Sequence, residues 1–142
     1  MVKPSKRVTP EQLAKSGTEH GEQSALFCWA AEYVQTYPRI RFMFAIPNGG
    51  LRDQITASRL RAEGVKRGVP DIFLPIPVFG FGGTYAGLFI EMKRRVAGQT
   101  SSDQDNYHEY LRKAGFRVEI CTNWESARDV ILSYINMESW HK

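Results

Sequence analysis

Residues 68–94 read GVPDIFLPIPVFGFGGTYAGLFIEMKR, and this stretch decides the fold because it holds two short apolar segments. PDIFLP, residues 70–75, and YAGLFIEMK, residues 85–93, each have the pattern of a short strand. IPVFGFGGT connects them and has too many glycine and proline residues for a helix, which predicts a hairpin connection. The stretch therefore predicts two strands, with Asp71 at the start of the first and Glu91 near the end of the second.

The sequence on either side alternates between helical and strand patterns. Before it, the patterns predict a helix from Glu22 to before Pro38, a strand in RFMFAIP with Phe42, Phe44 and Ile46 alternating, and a helix in RDQITASRLRAEG. After it, they predict a helix that begins at the capping box of Ser101 and Gln104, and then a strand in FRVEIC. A capping box of Thr122 and Glu125 predicts the start of a final helix. This order predicts an α/β domain in which a small mixed sheet is flanked by helices. The last two strands are expected to be parallel, joined by a helical crossover.

Length and composition bound the class of protein. The chain has 142 residues, of which 42% are hydrophobic and 24% charged, as in ordinary globular domains. Residues 1–19 lack periodicity and are predicted to form a flexible basic arm, and residues 20–142 the folded domain. No apolar run approaches the ~20 residues of a membrane helix, and no secretory signal is visible, so a cytoplasmic location is expected.

The cysteines and the net charge carry less information. Cys28 and Cys121 are too few and too far apart for a disulfide framework or a zinc site, and we expect two reduced core thiols. The net charge of +4 is compatible with a polyanionic partner but does not demonstrate one.

Three acids and one lysine are candidates for a metal site. Glu91 and Lys93 are two residues apart on one strand, so their side chains point to the same face. Asp71 would approach them if the two strands pair, and Glu22 stands at the start of the first long helix. Two like charges ~4 Å apart at an effective dielectric constant of ~20 cost about 4 kcal/mol, which a divalent cation would offset. Oxygen ligands without His or Cys select Mg²⁺ or Mn²⁺.

Such a group is suited to hydrolysing a phosphodiester. A bound cation activates water and polarises the phosphate, while Lys93 could orient or deprotonate that water or stabilise the transition state. Each of these residues, taken alone, is more often a solvated surface charge. Their position within apolar strands favours the site, because an unpaired charge there is costly.

The same residues carry a family resemblance. GVPDIFLP, GLFIEMKR and SSDQDNYHEYLRKAGFRVEIC, together with IPNGG at 46–50, resemble the VRR-NUC family of PD-(D/E)XK nucleases over residues 20–135. The resemblance implies a restriction-endonuclease-like core. It further implies that Asp71, Glu91 and the Met92 carbonyl ligate the metal, that Glu22 completes the acidic cluster, that Lys93 serves the attacking water and that Gln104 lies beside the site. Family members cut DNA, and some stand-alone members are dimers that act on four-way junctions.

Basic, glycine and asparagine residues near the acids are candidates for contact with DNA phosphates. They are Asn48, Gly49, Gly50, Arg52, Arg59, Arg61, Lys66, Arg67, Arg94 and Arg95. The alternative is a solvated charged face, and NGG taken by itself is more often just a turn. His20 could assist the metal shell, His108 is expected to be a surface or packing residue, and Tyr107 and Tyr110 are expected to lie in the core.

The leading hypothesis is a metal-dependent DNA endonuclease that uses Mg²⁺ or Mn²⁺ and acts as a homodimer on branched DNA such as a Holliday junction. The motif supports hydrolysis, whereas the branched substrate and the dimer rest on the resemblance. PVFGF, residues 77–81, is either a dimer contact or a hairpin tip packed on its own domain. The alternative functions are a non-catalytic nucleic-acid-binding subunit and a sequence-specific restriction-type nuclease.

Overall fold

The two predicted strands form the centre of a four-stranded sheet. The computed structural model describes residues 6–47, 54–80, 83–93 and 100–137. The sheet order is β1-β2-β5-β6, and its strands are β1 (Phe44–Ala45), β2 (Ile72–Leu74), β5 (Leu88–Met92) and β6 (Arg117–Cys121). The pairs β1–β2 and β2–β5 are antiparallel, and β5–β6 is parallel. The predicted mixed sheet is confirmed.

Helices cover both faces of this sheet. Within the described ranges the helices are α1 (Pro10–Ala14), α2 (Glu19–Tyr33), a 3₁₀ helix (Pro38–Phe42), α3 (Gln54–Ala62), α4 (Ser102–Lys113) and α5 (Trp124–Asn136). On one face, Leu88, Ile90 and Met92 are buried in a core cluster with side chains of α2 and α5. On the other face, Phe89 stacks on Phe73 at 4.3 Å, and α4 packs near β6.

The predicted hairpin connection is a small hairpin of its own. Strands β3 (Val78–Gly80) and β4 (Gly83–Tyr85) pair antiparallel between β2 and β5. Val78 is buried, and the Tyr134 hydroxyl of α5 donates to the carbonyl oxygen of Ile76 at 2.6 Å. The hairpin therefore packs on its own domain, whereas Phe79 points outward with half of its surface exposed.

The structure differs from the sequence predictions in the first part of the chain. Residues 10–14, expected within the arm, form a helix with a Thr9–Gln12 capping box, and this helix packs against α2. The strand predicted in RFMFAIP is reduced to two residues, because Pro38 starts a 3₁₀ helix. Ile40 and Met43 are consequently buried, while Phe42 and Phe44 are exposed.

Two further details of the prediction change. The capping box of α5 is formed by Asn123 and Ser126, so the predicted Thr122–Glu125 box is wrong by one residue. Cys121 is buried in the core as expected, but Cys28 is only half-buried, with its Sγ 3.5 Å from the Val8 carbonyl oxygen. Both are free cysteines.

Candidate functional site

Strand pairing brings the two predicted acids of residues 68–94 together. Ile72 pairs with Ile90, so Asp71 before it and Glu91 after it are neighbours on the two strands. The backbone amide of Met92 donates to Asp71 Oδ2 at 2.8 Å and fixes that carboxylate against β5. Because side chains alternate along a strand, Glu91 projects to the Phe89 face, opposite to the face that packs on α2 and α5.

Both acids line a surface cavity of about 730 Å³. Its lining combines residues from α2, the loop before β2, the strands and the start of α4, and it includes Glu19, Arg67, Asp71, Glu91, Lys93 and Gln104. His20 also contributes to this wall. The cavity therefore gathers negative, positive and amide side chains at one end of the sheet.

Glu91 is the most enclosed of these charged groups. It is 2% exposed, and its Oε1 accepts a hydrogen bond from Gln104 Nε2 at 2.6 Å. Lys93 Nζ lies 3.7 Å from the same oxygen. The other oxygen, Oε2, is buried and has no hydrogen-bond partner among the described residues.

This environment disfavours the charged form of Glu91. Burial, and secondly the negative charge of Asp71, raise the pKa of Glu91 from 4.5 to about 8, although Lys93 acts in the opposite direction. Glu19 also raises this pKa. The positive charge of Lys93 therefore offsets only part of the effect of burial and of the neighbouring acids on Glu91.

The acid of α2 that faces the cavity is Glu19 and not the predicted Glu22. Glu22 Oε2 accepts a hydrogen bond from the backbone amide of Trp124 at 2.8 Å, which links α2 to the start of α5. Glu22 is absent from the described lining of the cavity. In the described part of the chain, no three His, Cys, Asp or Glu side chains converge as a metal-ligand group. The structure therefore brings Asp71, Glu91 and Lys93 together and turns Glu22 to a structural contact.

Sequence reasoning missed two residues of this neighbourhood. Glu19 lies one helical turn before Glu22, a spacing that marks it as an equal candidate. His108 is buried at 2% exposure, with Nε2 3.9 Å from Glu91 Oε2, and it follows Gln104 by four residues on α4. Tyr110 was expected in the core but is two-thirds exposed.

The candidate DNA contacts are only partly described. Arg67 lines the cavity, and Lys66 beside it is exposed. Arg59 and Arg61 are exposed on the last turn of α3. Asn48, Gly49, Gly50, Arg52, Arg94 and Arg95 lie outside the described residues.

Gly68 lies in the loop that carries Arg67 and packs against the start of α4. Its φ of +89° lies in the region that favours glycine. A Cβ atom at this position would collide with backbone atoms of Asp103 and Gln104. The loop and α4 can therefore approach this closely only because residue 68 has no side chain.

Comparison with known proteins identifies the family. The family model of the VRR-NUC domain matches residues 9–124, which is most of the chain. The chain belongs to the VRR-NUC family. A solved structure named "VRR_NUC domain protein" is similar to it with a TM-score of 0.67 and 25% identity, over 84% of this chain and 89% of that one. No curated protein matches the chain.

VRR-NUC is a family of PD-(D/E)XK nucleases, so the match assigns this domain to a nuclease family. The match begins at residue 9 and thus includes α1, which the sequence had placed in the arm. Among the helices that the structure describes, none is long and apolar enough to cross a membrane.

Proposed function

We propose that this VRR-NUC chain is a metal-dependent endonuclease that hydrolyses phosphodiester bonds in DNA. The observation that carries the proposal is the placement of Glu91, which is buried, has one oxygen without a partner, and lies beside Asp71 and Lys93 in a surface cavity. A buried carboxylate oxygen without a hydrogen bond is costly unless the site has a use for it. A cation would supply a partner, and because each carboxylate oxygen has two lone pairs, the same oxygen can accept a hydrogen bond as well.

The residues present fit Mg²⁺ or Mn²⁺. Asp71 and Glu91 form a hard oxygen site, and the described lining of the cavity contains no cysteine. Mg²⁺ commonly takes only one or two protein carboxylates together with water and substrate phosphate. Asp71 and Glu91 would hold the cation, with the Met92 carbonyl as a further ligand. When bound, it would polarise the phosphate and lower the pKa of a coordinated water molecule.

We assign the additional acid of α2 to Glu19, since Glu19 lines the cavity and Glu22 holds the Trp124 amide. Glu19 adds negative charge that attracts a cation, directly or through water. Glu22 would then contribute to the site only by fixing the position of α2.

The other residues position the reacting groups. Gln104 holds Glu91 through one oxygen, and the Met92 amide holds Asp71, so both carboxylates are oriented before a substrate arrives. Lys93 can orient the attacking water or stabilise the additional negative charge of the transition state.

The substrate follows from the family and from the charge around the cavity. Arg67 lies in the cavity wall, and Lys66 next to it is exposed. Both side chains are suited to binding backbone phosphates, a contact that does not depend on the DNA sequence. Branched DNA and a homodimer are part of the proposal on the family resemblance. Exposed Phe79 on the hairpin is an apolar residue that a second copy could cover.

Cleavage assays on four-way junctions, flaps and linear duplexes test the proposal. We expect cleavage with Mg²⁺ or Mn²⁺, none with a chelator, and loss of cleavage in Lys93→Ala and Asp71→Ala with DNA binding largely retained. DNA binding without cleavage of any substrate would favour the non-catalytic subunit. Cleavage at one sequence of a linear duplex would favour the restriction-type nuclease.

A further inference from the structure

Helix α4 presents two side chains to Glu91, one helical turn apart. Gln104 Nε2 donates to Glu91 Oε1 at 2.6 Å. His108, four residues later and therefore on the same side of the helix, has its Nε2 3.9 Å from Glu91 Oε2. The two oxygens of one carboxylate are thus each faced by a nitrogen of α4.

The contact between His108 and Glu91 lacks a hydrogen bond, although both facing atoms are buried. Glu91 Oε2 and His108 Nε2 are the two buried side-chain polar atoms that lack a hydrogen-bond partner in the described residues. They face each other at a distance longer than the 2.7–3.2 Å typical of N–H···O bonds, so a movement of about 1 Å would join them. Buried polar atoms of this kind are rarely left unpaired.

Several charged groups surround the imidazole. Burial, and next the positive charge of Arg112, lower the pKa of His108, with Lys93 adding to this and Asp105 opposing it. An imidazole ring carries a hydrogen on at least one of its nitrogens. Placing that hydrogen on Nε2 gives a donor directed at Glu91.

We propose that His108 is a positioning residue, whose Nε2–H donates to Glu91 Oε2 in the working site, so that Gln104 and His108 together hold both carboxylate oxygens in one orientation. This inference rests on the proposed function. Removing a residue that hydrogen-bonds a metal-ligating carboxylate commonly lowers metal affinity or activity about 10–100-fold. A histidine that only fills space would leave metal affinity unchanged if its volume is kept.

The test compares Mn²⁺ binding and thermal unfolding in the full chain. His108→Leu and His108→Phe keep much of the volume and remove the donor, whereas His108→Gln places an amide nitrogen at the same number of bonds from Cα. Tyr110→Leu is the control, since Tyr110 is exposed on the same helix. Titration calorimetry with MnCl₂ measures affinity without DNA, and cleavage of a labelled junction is recorded in parallel.

We expect Mn²⁺ affinity to fall about 10–100-fold in the Leu and Phe variants and to return to within about threefold of wild type in His108→Gln. Tyr110→Leu should bind as wild type does. Wild-type affinity in a folded Leu or Phe variant would overturn the inference, and so would a folded His108→Gln as weak as the apolar variants. If only one apolar variant folds, that variant decides the comparison. If the wild-type chain neither binds Mn²⁺ nor cleaves DNA, both the proposed function and the proposed role of His108 are wrong. If the wild-type chain does both, the variants test only the role of His108.

Discussion

Glu22 and Glu91 are both drawn into the protein, but their oxygens are used differently. Glu22 accepts the backbone amide of Trp124 and so joins two helices. Glu91 has one oxygen held by Gln104 and the other buried without a partner, and its pKa is raised to about 8. The first carboxylate has one oxygen paired with a backbone amide of the fold. The second is arranged at a cost to stability, which is common where a charge serves chemistry.

The largest effect is expected from replacing Glu91. Glu91→Gln keeps the shape but weakens cation binding, so junction cleavage should fall by at least about 10²–10³-fold. The same change should stabilise the metal-free protein at high pH, because it removes a buried charge. A loss of cleavage together with a gain in stability would sharpen the contrast with Glu22. Retained cleavage would contradict it.

The pH dependence of stability follows from the raised pKa. The folded protein binds the Glu91 proton more tightly than the unfolded chain does, so this stabilisation is complete below pH 4.5 and is lost as pH rises through about 8. A change from 4.5 to about 8 corresponds to about 5 kcal/mol. Urea unfolding of the metal-free protein at several pH values should show this decline in wild type and not in Glu91→Gln. Glu63→Gln, at an exposed acid, serves as the control and should decline as wild type does.

A second pair of variants separates the two acids of α2. Glu22→Ala should lower the free energy of unfolding by about 1.5–3 kcal/mol, since it leaves the Trp124 amide without its charged acceptor. Glu22→Gln retains an acceptor oxygen and should lose less. Glu19→Ala should reduce metal-dependent cleavage with a smaller change in stability. The reverse result, with Glu22→Gln inactive and Glu19→Ala active, would return the ligand role to Glu22.

Variants of Gln104 test whether metal binding requires the hydrogen bond that orients Glu91. Its Oε1 accepts from the Ser101 amide in the capping box, while its Nε2 donates to Glu91. Gln104→Met removes the donor to Glu91 without adding a charge, so Mn²⁺ affinity should fall about 10–100-fold. Ser101→Ala weakens the cap alone, which Gln104→Met also weakens, and should change the melting temperature more than the affinity. Equal affinity in Gln104→Met and wild type would contradict this role.

The smallest effect is expected at Arg67, which contacts solvent in the cavity wall. Arg67→Ala should weaken binding to all DNA shapes by a similar factor and reduce the slope of log K against log salt by about 1. Fluorescence anisotropy across a salt series measures this slope. A change confined to one DNA shape would instead indicate that Arg67 reads structure.

Local sequence patterns predicted much of the fold. The apolar segments around Asp71 and Glu91 became β2 and β5, and the Ser101–Gln104 capping box starts α4. Local signals were less reliable where tertiary packing decides between neighbours. The alternation of Phe42 and Phe44 suggested a longer strand, but burial of Ile40 and Met43 prevailed.

The site shows the same division. Strand pairing follows from residues 68–94, so the approach of Asp71 to Glu91 was predictable. Which acid of α2 faces the cavity depends on how that helix is rotated against α5, and Glu19 and Glu22 are equivalent in sequence. His108 was missed because a helical pattern gives the spacing of polar residues but not the strand residue that each one meets.

Gly68 has a consequence for the spacing of the residues in the proposed site. The missing side chain sets the gap between the segment that bears Arg67 and the helix that bears Gln104. A single added methyl group would push these two parts of the wall apart. In the proposed nuclease site, the distance between Arg67, as the proposed phosphate contact, and Gln104, which holds Glu91, therefore depends on the absence of a side chain at residue 68.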